Sequence, residues 1–384
     1  MYIYDNIGLV IIIYEFNGVN MNYIKNIIKY GEAETIYEKK KYKSQNPNLR
    51  ILFWETTLRC NALCKHCGSR AGEKNKYNDE LTTDEIKQCF KTISQKMDSS
   101  KIFLNITGGE PLLREDLFDV MKYAKNLGFG WSMTTNGTLI DSNMVAKLKE
   151  AGLTSVSISI DGTEHTHDEF RGVKGYYNKS INAIKLLRDA NFLDVLQITT
   201  VVNKNNINEL EDLYKIISDL HVDSWRIMNI DPIGRARDNK DLELDKDEYK
   251  YLIHFIEQKR KKSKFDVTSA CTHYFGIKHE KETRCYMFQC IAGTEVGSIL
   301  YNGDIFVCPN VERRPELIQG NIRKDDFCDI WKNKFEIFRD LDRYKKCKEC
   351  NECEDAKYCL GESLHTWNFD ENKPNICMNK ILNT

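Results

Sequence analysis

The chain has 384 residues, of which 56 are Lys or Arg and 57 are Asp or Glu, with a formal net charge of −1 and 41% hydrophobic residues. The balanced charge argues against nucleic acid as a partner, because bulk binding depends on a surplus of Lys and Arg that releases counterions. The apolar content excludes a disordered chain and suffices for a large core. The unusual feature is the number of cysteines, 14, whose use depends on the redox compartment.

The N-terminal region, residues 1–50, is short and charged, and we expect a solvated cap or helix rather than a domain. Its apolar run, residues 8–13, follows Asp5 and precedes Glu15, whereas a signal peptide has a basic segment before the run and small residues after it. No apolar stretch approaches the roughly 20 residues that cross a membrane. We therefore predict a cytoplasmic protein without membrane partners, in which thiols ligate metal rather than form disulfides. Met21 is an alternative start of translation.

Between residues 51 and 265, short β-rich apolar runs alternate with amphipathic helical patterns. This alternation is typical of βα units that build a parallel sheet. The predicted strands span residues 51–57, 102–107, 130–135, 155–160, 196–202 and 225–230. The predicted helices span residues 83–96, 114–127, 141–151, 177–190, 207–220 and 245–261. The sequence thus predicts an α/β fold with six βα units.

Three cysteines, Cys60, Cys64 and Cys67, follow the first predicted strand with the spacing Cys-x3-Cys-x2-Cys. Three thiolates can hold three irons of a 4Fe–4S cube and leave the fourth iron without a protein ligand, as a site for chemistry. The alternatives are a zinc site completed by His66 and three packed thiols. Because zinc sites usually combine two Cys-x2-Cys units, the spacing favours an iron–sulfur cluster, with His66 packed near it.

A second motif, Gly108-Gly109-Glu110-Pro111, follows the second predicted strand. Glycines let the backbone approach a ligand closely, and a carboxylate pairs with an ammonium group. Together with the cysteine triplet, this motif resembles the radical S-adenosylmethionine (radical SAM) superfamily. The resemblance implies that the motif binds the methionine amino group of SAM and that the βα units form a partial (β/α)6 TIM-like barrel. It also implies reductive cleavage of SAM to a 5′-deoxyadenosyl radical that abstracts hydrogen from a substrate.

The fourth predicted strand leads into the motif SISIDG at residues 157–162, and HDEFRG follows at residues 167–172. This pair resembles radical SAM enzymes that carry a C-terminal SPASM extension, and it implies that Ser159 and Arg171 contact the carboxylate or ribose of SAM. The guanidinium fork of an arginine suits a carboxylate. The ordinary alternatives are a simple turn and a surface charge. Residues 135–137, Thr-Asn-Gly, are a weaker candidate for the same site.

The composition changes at about residue 265, where the alternation stops and 10 of the 14 cysteines follow. We therefore predict a cap at residues 1–50, a radical SAM core at 51–265 and a small cysteine-rich auxiliary domain at 266–384. The cysteine spacing in the last region resembles the SPASM pattern, which implies two auxiliary 4Fe–4S clusters. The implied ligands of one cluster are Cys350, Cys353, Cys359 and Cys377. The implied ligands of the other are Cys285, Cys290 and Cys308.

The match to the SPASM pattern leaves one auxiliary cluster short of a ligand, because a serine replaces the last cysteine of the pattern's central group. Either that cluster has an open iron or another residue completes it. The candidates are Ser363, Cys347 and Cys271. Cys89 and Cys328 lie in amphipathic helical patterns and are predicted to be packed as small apolar residues. A zinc knuckle is the alternative for residues 347–359, since Cys-x2-Cys is its usual unit.

The resemblance also suggests substrates. SPASM enzymes mostly oxidise, cross-link or epimerise side chains of peptides or proteins, so we predict a peptide maturase and oxidoreductase, reduced by a flavodoxin- or ferredoxin-type donor. Sulfatase maturation is disfavoured, because Pro309 follows Cys308 where that subgroup has a catalytic aspartate. Residues 232–236 resemble a stretch of tetrapyrrole and quinone-cofactor maturases, which makes cofactor biosynthesis the first alternative. A non-catalytic electron-transfer protein is the second, and it leaves residues 108–111 without a role.

Overall fold

The computed structural model describes residues 21–73 and 79–383 of the chain. The apolar run at residues 8–13 lies outside this part. Of the helices in the described part, none combines the length and the apolar character that a membrane span requires.

A mixed sheet of ten strands organises the described chain, in the order β10-β9-β8-β1-β2-β3-β4-β5-β6-β7. The ten strands are β1 (Ile51–Glu55), β2 (Phe103–Thr107), β3 (Gly130–Thr135), β4 (Ser155–Ser159), β5 (Val195–Val202), β6 (Ser224–Asn229), β7 (Asp266–Ser269), β8 (Val296–Ile299), β9 (Asp304–Phe306) and β10 (Gly320–Asn321). Two further strands, β11 (Trp367–Asn368) and β12 (Lys373–Pro374), form a separate antiparallel pair.

Strands β1 to β7 lie side by side in chain order and are parallel, with β1 in register with β2 from Ile51 opposite Phe103. On the other side of β1, β8 is also parallel, whereas β9 and β10 are antiparallel. This order leaves β7 and β10 at the two edges of the sheet. The sheet is therefore open, which agrees with the predicted partial barrel.

Helices connect the parallel strands and continue into the C-terminal region. They are α1 (Met21–Gln45), α2 (Thr83–Lys96), α3 (Leu117–Asn126), α4 (Ser142–Glu150), α5 (Glu164–Arg171), α6 (Tyr176–Ala190), α7 (Leu210–Asp219), α8 (Lys246–Lys262), α9 (Ile277–Thr283), α10 (Phe327–Asn333), α11 (Glu336–Arg339), α12 (Lys348–Asn351), α13 (Ala356–Cys359) and α14 (Met378–Asn383). Because each crossover between parallel strands carries a helix, the βα alternation predicted from the sequence is confirmed.

The structure adds two elements to the six predicted βα units. Helix α5 buries only a few side chains, among them Phe170, so its apolar stripe is short. Strand β7 has four residues, of which Val267 alone is aliphatic, and it pairs with β6 as a seventh parallel strand. The sheet therefore extends past residue 265, and the division of the chain at that residue remains a prediction.

The two faces of the sheet differ in polarity. Leu104 and Ile106 of β2 are buried on the side of the helices, where Trp54 also packs edge-to-face against Phe90 of α2. Asn105, between them in sequence, faces the inside of the partial barrel. Successive side chains of a strand point to opposite faces, so the same alternation places apolar residues in the core and polar residues on the inner face.

Helix α1 lies against the C-terminal region of the chain. Glu34 forms an ion pair with Lys357 at 2.5 Å, and Lys43 forms one with Glu295 at 2.8 Å. Gln289 also donates a hydrogen bond to the carbonyl of Ile36 at 2.7 Å. The N-terminal helix is thus attached to the region that carries most of the cysteines.

Candidate functional site

The inner face of the sheet borders a cavity of about 680 Å³. Small-molecule sites in proteins typically measure about 300–1,000 Å³. Among the predicted site residues, those that line this cavity are Cys60, Cys64, Cys67, Gly108, Gly109, Ser159, Arg171 and Cys285. Most of them stand at or just after the carboxyl ends of parallel strands, which meet at one edge of the sheet and form the usual place for ligands in such folds.

The loop that carries the three cysteines is fixed by two other segments. The backbone amides of Leu63 and Lys65 donate to the carbonyls of Arg171 and Phe170, at 3.2 and 3.0 Å, at the end of α5. From the other side, the Nε of Arg235 donates to the carbonyl of Cys64 at 2.8 Å. The cysteine loop is therefore held in place by contacts with the protein itself.

The three thiols all border the main cavity. In the ranges 21–73 and 79–383, no three His, Cys, Asp or Glu side chains are grouped as ligands of one metal ion. A cube places each thiolate on a different iron, so its ligands surround a volume and need not meet at a point. Burial raises the pKa of Cys60 to about 12, so iron must displace a proton from this thiol. His66 stacks on Phe170, with ring centroids 4.6 Å apart.

Gly109 allows the loop after β2 to lie directly on the cysteine loop. A Cβ atom at this position would be 2.1 Å from the carbonyl oxygen of Arg59 and 3.0 Å from the Cβ of Cys60. The amide of Gly109 donates to the carbonyl of Thr57 at 2.7 Å. We predicted that the glycines let the backbone approach a ligand, and the structure shows that Gly109 also lets it approach the ligand-bearing loop.

Glu110 is fully buried behind the glycines and does not line the cavity. Its carboxylate accepts hydrogen bonds from the amide of Asn136 at 2.9 Å and from the hydroxyl of Thr135 at 2.8 Å. Pro111 is buried at the start of a short 3-10 helix. In this geometry Glu110 holds the loop after β3 in place, and its predicted contact with the SAM amino group remains a prediction.

Arg171 lies between a buried acid and a predicted iron ligand. Its Nε donates to Asp161 at 2.6 Å, and its Nη1 lies 3.6 Å from the sulfur of Cys64. Burial raises the pKa of Cys64, while the charge of Arg171 opposes that shift and favours the thiolate. Asp161 is fully buried and also accepts from the amide of Val201 at 2.8 Å. Arg171 is thus a buried, paired cation, and Ser159 lines the cavity beside it.

The cysteines near the C-terminus form one group. Burial and then the neighbouring thiols of Cys347, Cys377 and Cys353 raise the pKa of Cys350. Cys359 interacts electrostatically with Cys377 and Cys350, and its sulfur accepts a hydrogen bond from the amide of Glu362 at 3.2 Å. The structure therefore brings together the four ligands predicted for one auxiliary cluster, with Cys347 as a fifth thiol.

A second group of cysteines contains Cys271, one of the candidates for the missing ligand. Cys271 is exposed toward the cavity, and its thiol interacts electrostatically with that of Cys290. Burial, Cys271 and Cys290 together raise the pKa of Cys308 to about 12. Cys285 lines the main cavity, as does Cys271. By contrast, Ser363 is fully buried with its hydroxyl 3.1 Å from that of Thr366. Of the three candidates for the missing ligand, Cys271 interacts with this group.

Positive side chains lie beside the auxiliary cysteines. Lys40 of α1 is buried and its Nζ donates to the carbonyl of Cys290. Burial lowers the pKa of Lys40 to about 8. Arg343 is also buried and donates to the carbonyl of Glu362 at 2.8 Å. Since iron–sulfur clusters bound by thiolates are anionic, such cations favour their binding. Cys89 and Cys328 lie instead in the main hydrophobic core, as predicted.

Several residues of the site were not identified from the sequence. Arg235 contacts the cysteine loop. In the sequence, only the motif at residues 232–236 indicates that this arginine could belong to the site. Lys40 gave no signal, because a lysine in a charged helix is indistinguishable from a solvated one. Arg226 of β6 lines the main cavity. Its signal in the sequence is a charged residue in the middle of a strand whose other residues are uncharged.

Comparison with known proteins supports the motifs. Residues 54–217 match the sequence model of the radical SAM superfamily, and residues 290–354 match that of the SPASM iron–sulfur cluster-binding domain. The AdoMet-dependent heme synthase of Methanosarcina barkeri is 33% identical over 328 residues, which cover 81% of this chain and 90% of that protein. The Fe-coproporphyrin III synthase of the same organism is 25% identical, with 79% and 82% covered. The mycofactocin maturase of Mycolicibacterium smegmatis is 29% identical, with 81% and 76% covered.

Solved structures with the same fold include SuiB of Streptococcus suis bound to S-adenosylmethionine, with a TM-score of 0.68 and 15% identity over 96% of this chain and 84% of that one. SuiB bound to its precursor peptide SuiA gives a TM-score of 0.66 and 17% identity over 97% and 84%. At this identity the likeness concerns the fold alone. Sequence models, relatives and fold agree, and the chain belongs to the radical SAM superfamily with a SPASM domain, binding SAM, a 4Fe–4S cluster and auxiliary iron–sulfur clusters.

Proposed function

We propose that this enzyme modifies a tetrapyrrole during the biosynthesis of a heme-type cofactor. The observation that carries the proposal is the 33% identity to an AdoMet-dependent heme synthase across 90% of that protein's length. The cavity of about 680 Å³ lies within the range of small-molecule sites. The sequence motifs favour a peptide substrate with tetrapyrrole chemistry as the alternative, and the relatives support the alternative better.

Ten cysteines that the sequence motifs indicate, together with Cys271, are the proposed ligands of the three iron–sulfur clusters. Cys60, Cys64 and Cys67 hold the cluster that binds SAM, and the C-terminal group holds one auxiliary cluster through Cys350, Cys353, Cys359 and Cys377. The other auxiliary cluster takes Cys285, Cys290, Cys308 and, as the fourth ligand, Cys271. Support for Cys271 comes from its electrostatic coupling to Cys290 and Cys308, whereas the hydroxyl of Ser363 lies beside Thr366.

When bound, the first cluster and SAM supply the radical that removes hydrogen from a substrate carbon. The chain's own residues fix the geometry of this reaction. Asp161 orients Arg171 beside Cys64, and Gly109 keeps the loop after β2 against the cysteine loop. Ser159 offers a hydroxyl toward the same cavity. The electron donor in this proposal is a flavodoxin or ferredoxin.

The test is an anaerobic reaction of the reconstituted protein with SAM, dithionite and Fe-coproporphyrin III, followed by chromatography and mass spectrometry. We expect the tetrapyrrole to increase formation of 5′-deoxyadenosine several-fold and to change in mass. The variant with Cys60, Cys64 and Cys67 replaced by alanine should do neither, whereas the matched core variant with Cys89→Ala and Cys328→Ala should retain both. A wild-type protein that leaves the tetrapyrrole mass and the deoxyadenosine rate unchanged contradicts the proposal.

A peptide substrate is the second candidate, because the chain is 29% identical to a mycofactocin maturase. The same assay with the precursor peptide encoded nearest to this gene distinguishes the two candidates. Peptide modification without tetrapyrrole modification would favour this second candidate.

A further inference from the structure

Arg226 is a cation on the inner face of the partial barrel. It stands in the middle of β6 and lines the main cavity. Its Nε donates to the hydroxyl of Thr199 on the neighbouring strand at 3.2 Å. This is the one hydrogen bond that its guanidinium makes with the described part of the chain, so the remaining donors of the fork are available to a ligand.

The other charged side chains of the cavity are already paired. Arg171 is bound to Asp161, and Arg235 lies 3.4 Å from the carboxylate of Glu73. Asp266 forms an ion pair with Arg260 at 2.8 Å. Among residues 21–73 and 79–383, no carboxylate lies within ion-pair distance of Arg226. Arg226 is therefore the cavity-lining arginine that has no carboxylate partner in the described part of the chain.

The surroundings of Arg226 are polar and can accommodate an oxyanion. The hydroxyls of Ser157 and Thr199 lie 2.7 Å apart on adjacent strands, and both residues line the cavity together with Gln197. The side chain of Arg226 is half-buried, so an anion beside it would offset part of the cost of desolvating its charge. A guanidinium fork with neighbouring hydroxyls matches the two oxygens of a carboxylate.

We propose that Arg226 binds a carboxylate of the substrate, with the hydroxyls of Ser157 and Thr199 beside it. This inference rests on the proposed function, because a coproporphyrin-type substrate carries propionate side chains whose carboxylates would enter the barrel interior. Arg226 then selects for an acidic tetrapyrrole and sets the orientation of the macrocycle in the cavity. It is a binding residue, remote from the cysteine loop in sequence and placed on a different strand.

A competing role for Arg226 follows from its neighbour Cys271, whose charge interacts with the guanidinium. If Cys271 ligates an auxiliary cluster, Arg226 could serve only to balance the charge of that cluster. The two roles differ in what they predict for substrate binding: a charge-balancing arginine does not distinguish an acid from its ester, whereas a carboxylate-binding arginine does.

The experiment measures binding of coproporphyrin III and of its tetramethyl ester, by porphyrin fluorescence, to the anaerobically reconstituted holoenzyme. The variants are Arg226→Gln, Arg226→Lys and the control Arg50→Gln, whose side chain is 65% exposed at the start of β1 and does not line the cavity. We expect Arg226→Gln to weaken binding of the acid about tenfold or more, with Arg226→Lys intermediate. Arg50→Gln should bind like the wild type, and the ester should bind wild type and Arg226→Gln equally.

Equal binding of the acid by wild type and Arg226→Gln overturns the inference and leaves the proposed function intact. A wild type that binds neither porphyrin overturns both. If Arg226→Gln does not fold or lacks iron, the inference is tested instead with the wild type and Arg226→Lys. For each protein, the affinity for the acid is compared with the affinity for the ester. A wild type that binds the ester as tightly as the acid overturns the inference there too.

Discussion

Gly109 offers a direct test of the link between backbone packing and the cysteine loop. In Gly109→Ala, the new Cβ would stand 2.1 Å from the carbonyl oxygen of Arg59, whereas real Cβ contacts essentially never fall below 3.0 Å. Arg59 must therefore retreat by about 1 Å, which breaks its 2.9 Å hydrogen bond from the amide of Glu110. Overpacking costs about 1–3 kcal/mol and a lost buried hydrogen bond about 1–3 kcal/mol, so we expect a local cost of about 2–6 kcal/mol.

This cost falls on the loop that carries Cys60, next in sequence to Arg59. We expect Gly109→Ala to lose at least tenfold in deoxyadenosine formation with dithionite and to lose the SAM-dependent change in the electron paramagnetic resonance signal of the reduced protein. The matched control is Gly31→Ala in α1, where an added Cβ has no neighbour within 4 Å. Full activity and an unchanged spectrum in Gly109→Ala would refute the reasoning, because the cysteine loop would then tolerate a displacement of about 1 Å.

Three further variants test the pairings of the site. Asp161→Asn leaves Arg171 buried without its acid, and we expect a loss of about 3 kcal/mol in unfolding free energy by anaerobic urea denaturation, so an unchanged midpoint would count against the pair. Cys271→Ser should lower auxiliary iron and Cys347→Ser should not, as measured by iron analysis, and equal iron in both would remove Cys271 from the ligand set. Cys89→Ala should keep wild-type iron because its thiol lies in the core, and iron loss there would contradict that placement.

The parallel sheet and the three-cysteine loop were predictable because both are local signals. Runs of apolar residues that form buried strands alternate with amphipathic segments that form helices. This alternation is visible in the sequence between residues 51 and 265. The cysteine triplet needs only eight consecutive residues. Its position after β1, together with the carboxyl-end rule for parallel sheets, was enough to place it beside Gly108 and Ser159. The structure brings these residues to one cavity.

The partners within the site could not be predicted, because they depend on contacts between distant segments. Glu110 has the residue type that suits an ammonium group, yet its carboxylate accepts hydrogen bonds from Thr135 and Asn136 across the neighbouring strand. Arg226 is the one charged residue of β6. Successive side chains of a strand point to opposite faces of the sheet, so whether Arg226 faces the helices or the cavity depends on the register of the strand in the fold. Strand β7 was missed since four residues with one aliphatic side chain give no measurable period.

That short strand explains why a cysteine outside the family pattern can reach the main cavity. β7 is parallel to β6, so the residues that follow it emerge at the same edge of the sheet as those that follow β1. Cys271 comes two residues after the end of β7, and it lines the cavity that Cys60, Cys64 and Cys67 also border. With Cys271 as a ligand, one auxiliary cluster would open onto the substrate site, while the Cys350 group would not. Cys271 would then take over the ligand role that the family pattern gives to the cysteine at the position of Ser363.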